Sequence, residues 1–197
     1  VKECVKLTFS IYIENFDWRE KHGANNPLSP YYTGNIDGWI SPIKRQWSGT
    51  CWAYSAVGVT ETLVNLYFNK PLDLDLAEHD VASCSGGGNI EHPEWGGSVT
   101  TALNYIKNTG VVNESCFPNP TDEIQLPCVN KCSSPAERIQ FGSYSNYEFT
   151  NEDELKNLVI KSPMTFAICC SYICHATVVV GYRIIKEGDI VWHSLTN

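Results

Sequence analysis

Residues 46–68 read QWSGTCWAYSAVGVTETLVNLYF, and the character of the chain changes inside them. The stretch opens with small polar residues around a single cysteine, Cys51. From there it runs without proline, and with Gly58 as its one glycine, through apolar positions Trp52, Ala56, Val59, Leu63, Leu66 and Tyr67 that recur at helical spacing. The spacing predicts a buried helix that starts at Cys51, with Ser48 or Thr50 as its cap. A helix start carries partial positive charge and unpaired backbone N–H groups. A cysteine placed there has its thiolate, the nucleophilic form, stabilised, and a nearby imidazolium stabilises it further.

Outward from this helix, residues 74–83 (LDLAEHDVAS) predict a shorter helix ending near Cys84. Residues 96–110 (GGSVTTALNYIKNTG) predict a third, with Gly110 as its stop signal. Residues 23–44, rich in Gly, Asn and Pro, read as loop, and so do the Pro- and Cys-rich residues 113–135, which mark a lobe boundary. Strand patterns follow. Residues 141–149 (FGSYSNYEF) alternate, 151–161 (NEDELKNLVIK) form a short amphipathic helix, and 163–170 (PMTFAICC) are an apolar strand. Residues 175–185 and 189–195 predict a hairpin about residues 186–189. A mainly helical first half and a mainly β second half make an α+β fold, and a cleft between such halves is a natural ligand site.

The chain has 197 residues, enough to bury a core, and a formal charge of -8 with acidic residues spread along it. Nucleic acid needs a basic footprint that is missing here, so no nucleic-acid partner is expected. No apolar stretch is long enough to span a bilayer, and membrane insertion is not expected. Val1 shows no signal-peptide pattern; the expectation is a mature product or a fragment.

Nine cysteines favour disulfides and an oxidising compartment, and the odd count leaves at least one thiol free or paired with another chain. Zinc is the competing reading, with Cys128, Cys132, Cys169, Cys170 and Cys174 as thiolates. Their spacing is not that of zinc knuckles, and no metal is expected. Among the histidines, His22 lies in a polar loop, His79 beside Glu78 and Asp80, and His92 in a turn. These read as solvated or structural. His175 opens an apolar strand in the second half of the chain, where it is either a cleft-facing group fit for chemistry or a satisfied core histidine.

Taken in order, these segments resemble those of papain-like cysteine proteases of the cathepsin and papain type. GTCWAYSAV around Cys51 resembles the nucleophile segment CGSCWAFS. Residues 16–20 (FDWRE) resemble the mature N-terminus, and residues 41–46 (SPIKRQ) the stretch carrying the oxyanion glutamine. LAEHDVASCSGG resembles LSEQELVDCSGG, and WGGSVTTALNYIKNTG the Gly-Gly turn and helix that follow it. Residues 175–182 (HATVVVGY) resemble the histidine strand HAVLVVGY. The likeness runs from about Phe16 to the end. It implies a papain-like two-lobe fold in one peptidase domain, 1–197. Residues 1–15 would be an extension, about 16–112 a helical lobe with Cys51, and about 113–197 an antiparallel β lobe with His175. The active-site cleft would lie between them.

The resemblance also implies roles. Cys51 is the nucleophile, His175 its base and acid, and Gln46 with the Cys51 N–H the oxyanion hole. Gln46 lies five steps before Cys51, one fewer than in the family. Asn197 would orient the imidazole, with His193 as the competitor. If the hairpin turns at Glu187 and Gly188, Asn197 faces Val178, and SLTN resembles the family's IVKN. Gly96 and Gly97 resemble the glycines along which a substrate backbone lies as an added strand; a tight turn before a helix is the plain alternative. Trp95 walls a pocket or fills the core, and Trp52 packs in the core. Cys84 matches one end of a common bridge whose other end is Cys116, Cys128 or Cys132, with Cys128 preferred. A second family bridge is missing at both ends, where Ser48 and Glu94 stand. Few residues separate TFAI from His175, where many relatives carry a long Gly-rich loop, and this opens one wall of the cleft. The family continues past its Asn with SWG and further strands, so truncated C-terminal strands are the expectation.

The activity this implies is that of a cysteine endopeptidase acting through a covalent thioester, with no cofactor. It would act on a peptide or protein substrate, as a monomer, in a secreted or a lysosome- or vacuole-like setting. The rival readings are an inactive relative that only binds peptides or proteins, a Cys-rich structural domain with Cys51 in a disulfide, and acyl transfer to an amine instead of water.

Overall fold

The structure is a computed structural model, and it describes residues 14–20, 38–121, 124–170 and 173–188. In chain order its elements are β1 (Asn15–Asp17), α1 (Cys51–Phe68), α2 (Glu78–Cys84), α3 (Val99–Asn108), β2 (Val111–Val112), β3 (Arg138–Ile139), α4 (Glu152–Lys161), β4 (Met164–Cys170), β5 (Ile173–Val179) and β6 (Gly181–Arg183).

The helix expected from residue 51 forms as α1, but its buried surface is not a simple apolar stripe. Trp52, Ala53, Ala56 and Val57 are core, and so are Thr60, Glu61, Thr62 and Asn65. Leu63 and Tyr67, counted in the apolar stripe, are exposed. The cause is tertiary. Glu61 Oε1 accepts from the Leu76 N–H (2.8 Å) and from Lys44 Nζ (2.9 Å). Asn65 donates to the Trp39 carbonyl (3.1 Å) and accepts from the Leu72 N–H (2.8 Å). Polar side chains of α1 thus satisfy the backbone of the irregular segments folded over it. The expected cap is also corrected. Thr50 occupies the N-cap position without capping, because its hydroxyl donates to the Trp47 carbonyl, and Ser48 makes no cap bond either.

α2 and α3 pack on α1 around Trp52, Ala56, Val81, Leu103 and Ile106. Ser98 caps α3 by accepting from the Thr101 N–H (3.2 Å), and the chain leaves α3 through Gly110. Another face of α1, at Gly58, meets Val178 of β5. β5 forms an antiparallel hairpin with β4, in a register that sets His175 opposite Ile168. β1 pairs with β6, and Trp18 just after β1 donates its indole N–H to the Val159 carbonyl of α4 (2.8 Å). The two ends of the described chain are thereby stitched together.

Disulfides join Cys84 to Cys128, Cys116 to Cys132 and Cys169 to Cys174. Four of the five cysteines weighed as zinc ligands are therefore bonded to other cysteines. Residues 141–149 form no strand, contrary to their alternating pattern. The β2–β3 ladder ends at Ile139, and Tyr144 turns to α3 instead, its hydroxyl donating to Asn104 Oδ1 (3.0 Å). The turn expected at Glu187 and Gly188 is present. The returning arm, with His193 and Asn197, lies outside the described residues.

Candidate active site

Cys51 is the first residue of α1, half-buried, and the free thiol among the cysteines whose side chains are described. No acidic residue occupies the first turn, so the positive end of the helix is not neutralised where the sulfur sits. Gly49 fixes the position of this helix start. A Cβ there would lie 2.6 Å from the Pro93 carbonyl oxygen and 2.8 Å from that of Glu94. The chain entering α1 therefore runs backbone to backbone against the 3-10 turn Pro93–Trp95. Ser48 and Glu94 flank this contact, which close backbone packing holds without a disulfide.

His175 is exposed near the start of β5. Tyr54, Ser55 and Gly58 follow Cys51 on one face of α1, by helical spacing. Gly58 meets Val178. It lies roughly 10 Å along the helix from Cys51, and Val178 lies roughly 10 Å along the strand from His175. The α1–β5 contact thus brings the two segments together. His175, Gln46, Tyr54, Ser55 and Gly58 line one cavity of about 400 Å³, and Cys51 packs against a core cluster that includes Ala176.

Gln46 is exposed, and its side-chain amide donates to the Ser48 carbonyl (3.0 Å). Between them the loop is short, and Ser48 takes a left-handed backbone (φ 48°), which a non-glycine residue adopts only at a cost. The carbonyl that holds the Gln46 amide belongs to this strained residue.

Gly97 is pressed against the residue after the nucleophile position. A Cβ on it would lie 2.3 Å from Trp52 Cε2 and 2.5 Å from the Gly87 carbonyl oxygen. It also bridges Gly88 as a short antiparallel pair. Trp52 is buried, so Gly97 and Gly96 are held in fixed relation to the start of α1. Trp95 does not fill the core. It is 69% exposed, and its indole stacks on His92 (4.1 Å between centroids, 8° between planes). His92 Nδ1 in turn lies 3.1 Å from Glu94 Oε1.

A buried polar cluster behind the site has no counterpart in the motif reading. Lys44 Nζ contacts Glu61 Oε1 (2.9 Å), Glu78 Oε1 (2.9 Å) and Asp75 Oδ1 (2.8 Å). Burial works against its ammonium, but Glu78 and Glu61 outweigh burial and hold its pKa above the usual lysine range. Burial raises Glu78, and Lys44 offsets this only in part. Burial pushes Glu114 up to about 7, with Glu78 and Asp75 adding to the rise against an Asn119 N–H that opposes it. His79 is structural. It is fully buried, its Nδ1 faces the Pro118 carbonyl (2.7 Å), and its Nε2 accepts from the Leu126 N–H (3.0 Å), which fixes a neutral Nδ1–H ring. The one available signal for this cluster was Glu61, a charged residue within the apolar-patterned helix of residues 51–68.

Residues 13–179 match the model of the papain family cysteine proteases, which covers most of the chain. The chain belongs to that family. A viral cathepsin of Cydia pomonella granulosis virus is 27% identical over 203 residues, covering 93% of this chain and 53% of the relative. Cysteine proteinase 7 of Dictyostelium discoideum is 32% identical over 138 residues, 68% of this chain and 29% of the relative. The bromelain protease of Ananas comosus superposes with a TM-score of 0.67 at 21% identity, over 90% of this chain and 79% of that one. The fold is accordingly the papain-like α+β fold. This chain spans about half the length of the viral cathepsin and of the similar plant proteases.

Proposed function

We propose that the chain carries the nucleophile and the histidine of a papain-type cysteine peptidase. The observation that carries the reading is a free thiol on the first residue of a buried helix, in a chain whose other described cysteine side chains are paired. Cys51 thiolate attacks the peptide carbonyl, forming the C–S bond and a tetrahedral oxyanion. The Cys51 N–H and the Gln46 amide, once released from Ser48, donate to that oxyanion. His175 imidazolium gives its proton to the leaving amine as the C–N bond breaks, which leaves a thioester on Cys51. The neutral imidazole then takes a proton from water, whose hydroxide displaces the thiolate. Asn197 orients the ring. Gly96 and Gly97 offer backbone groups to an extended substrate, beside Trp95.

The substrate is a peptide or protein, and cleavage is internal to the chain. The setting is secreted or lysosome- or vacuole-like, in keeping with the disulfides. Among the described residues no helix is long and apolar enough to cross a membrane. A binding-only reading draws on one observation, that the Gln46 amide is engaged by Ser48.

The test is rapid quench with an activated ester substrate, followed by peptide mass mapping. The expected result is a transient acyl adduct on Cys51, and loss of both adduct and turnover in Cys51→Ala. Turnover that persists in Cys51→Ala would refute the mechanism.

A further inference from the structure

The disulfides are not alike. Cys84, Cys116 and Cys132 pack with Ala77, Val112 and Phe117 in a core cluster of the helical lobe. The Cys84–Cys128 and Cys116–Cys132 bridges are thereby shielded by apolar side chains. Cys169 and Cys174 are both exposed. They stand directly opposite each other in the β4–β5 hairpin, and their bridge ties the two strands. The anchoring of this hairpin on α1 stops short of that bridge. Val178 meets Gly58, and Ala176 is buried in the core cluster with Ala53, Ala56 and Val57 of α1. Beyond Ala176 the strands stand clear: His175 is exposed, and its partner Ile168 is 47% exposed. His175 thus lies between the last anchored residue, Ala176, and the bridged Cys174. Among the described residues β4 and β5 make a two-stranded sheet. A two-stranded ribbon without packing is marginal in water, and its free end frays. The ladder at Ile168 and the bridge at Cys174 are what hold the His175 backbone.

We propose that the Cys169–Cys174 disulfide is a reducible clamp that positions His175 for its work on Cys51, so that a dithiol that opens it turns the site off without unfolding the protein. For what His175 does, this rests on the peptidase reading above. In the opening step one thiolate of the dithiol attacks a sulfur of the bridge. The S–S bond breaks, and the other cysteine sulfur leaves as a thiolate and takes a proton. The second thiol of the reagent then displaces the sulfur still attached. Two cysteine thiols and the disulfide form of the reagent remain, two electrons having passed to the protein. Exposure lets the reagent reach this bridge before the shielded pair. The clamp also spans 5 residues, against 44 and 16 for the other bridges. Its loss therefore frees the unfolded chain least, and the effect stays local. Thiol reagents then act on the site in two opposite senses: mild reduction keeps Cys51 as the thiol, and stronger reduction releases His175.

The test poises the whole protein in dithiothreitol buffers of graded reducing strength and quenches it at mildly acidic pH, where exchange is slow. Peptide mass mapping reads each bridge, the rate of Cys51 labelling by an epoxysuccinyl probe reads the site, and hydrogen exchange reads the strands. Cys169–Cys174 is expected to open first. At the same potential the Cys51 rate should fall about tenfold or more, to that of His175→Ala. Amides of residues 166–170 and 173–176 should lose protection while those of α1, α2 and α3 keep it. In His175→Ala the same reduction should leave the rate unchanged, which a general loosening of the fold would not do. The double variant Cys169→Ser, Cys174→Ser should match the reduced wild type at every potential in that range. Earlier opening of a helical-lobe bridge would overturn the proposal, as would unchanged protection of β4 and β5, or an equal fall of the rate in His175→Ala. So would a rate that responds to His175→Ala but ignores the bridge. A rate indifferent to His175→Ala in the oxidised protein refutes the peptidase reading instead, and the protection of β4 and β5 still decides for or against the clamp.

Discussion

Glu114 should make the stability of this chain depend on pH in a way that one substitution removes. Its Oε1 accepts from the Asn119 N–H (2.6 Å), while Oε2 is buried with no partner. The same Asn119 donates its side-chain amide to Glu78 (2.9 Å), so two carboxyls crowd one donor residue. Burial, followed by the charges of Glu78 and Asp75, lifts Glu114 from 4.5 to about 7. An unfolded chain releases this proton near 4.5 and the folded chain near 7, so between those values the folded state holds the extra proton. Stability is therefore undiminished below 4.5, falls as pH rises through the window, and has lost the full amount above about 7. A rise of that size corresponds to roughly 3 kcal/mol at full value. The side chain is partly open to solvent, and screening reduces this to about 1–2 kcal/mol. Urea unfolding of the wild type and Glu114→Gln at pH values on either side of the window measures it. The variant should gain about 1–2 kcal/mol on the wild type between the acid and neutral ends. Glu78 is coupled to Glu114, so the gain of the variant also includes the change in the Glu78 titration once the neighbouring carboxyl is gone. A difference between the two proteins that stays constant with pH would refute the reasoning.

Gly58→Ala should raise stability by up to about 1 kcal/mol, because the added Cβ meets only Val178 Cγ2, at an ordinary 3.4 Å; the melting temperature reads it, and a fall would show that the α1–β5 contact is tighter than described. Gly97→Ala should do the reverse, costing about 1–3 kcal/mol as Trp52 or the Gly87 backbone is displaced, with a change in indole fluorescence. Replacing the Cys84–Cys128 pair by alanines should cost about 4 kcal/mol, and replacing Cys169–Cys174 about 2 kcal/mol, since the first closes a span of 44 residues and the second a span of 5. Denaturant midpoints of the two double variants check the order.

Much of this was legible from residues 46–68 outward, because local signals and tertiary packing agree there. α1 begins at Cys51, α3 starts after its Ser98 cap, and α4 starts after Asn151, which accepts from the Glu154 N–H (3.0 Å). The misses have one physical origin. A pattern of apolar residues registers what is buried by the hydrophobic effect, but not what is buried to satisfy loop backbone. Glu61 and Asn65 are buried for that second reason, and Leu63 and Tyr67 are displaced to the surface. The alternation of residues 141–149 failed for a related reason. Strand pattern creates a strand only where a partner ladder continues, and β2 offers two residues. The helix start at Cys51 was readable because the motif joins a small polar lead-in to an apolar helical pattern, whereas the contact of Gly97 with the buried Trp52 indole was not among the expectations. The Gln46–Ser48 contact was not, since it depends on the backbone that the short loop adopts.

The central claim is that Cys51 is set apart from the other cysteines by its helix start and by His175. It is tested most directly by treating the intact protein with an epoxysuccinyl probe at mildly acidic pH and mapping the adduct by peptide mass spectrometry. The expected outcome is a single adduct on Cys51, with labelling lost in His175→Ala while the disulfides and circular dichroism are unchanged. Labelling spread over several cysteines, or a Cys51 adduct that forms equally well without His175, would contradict it.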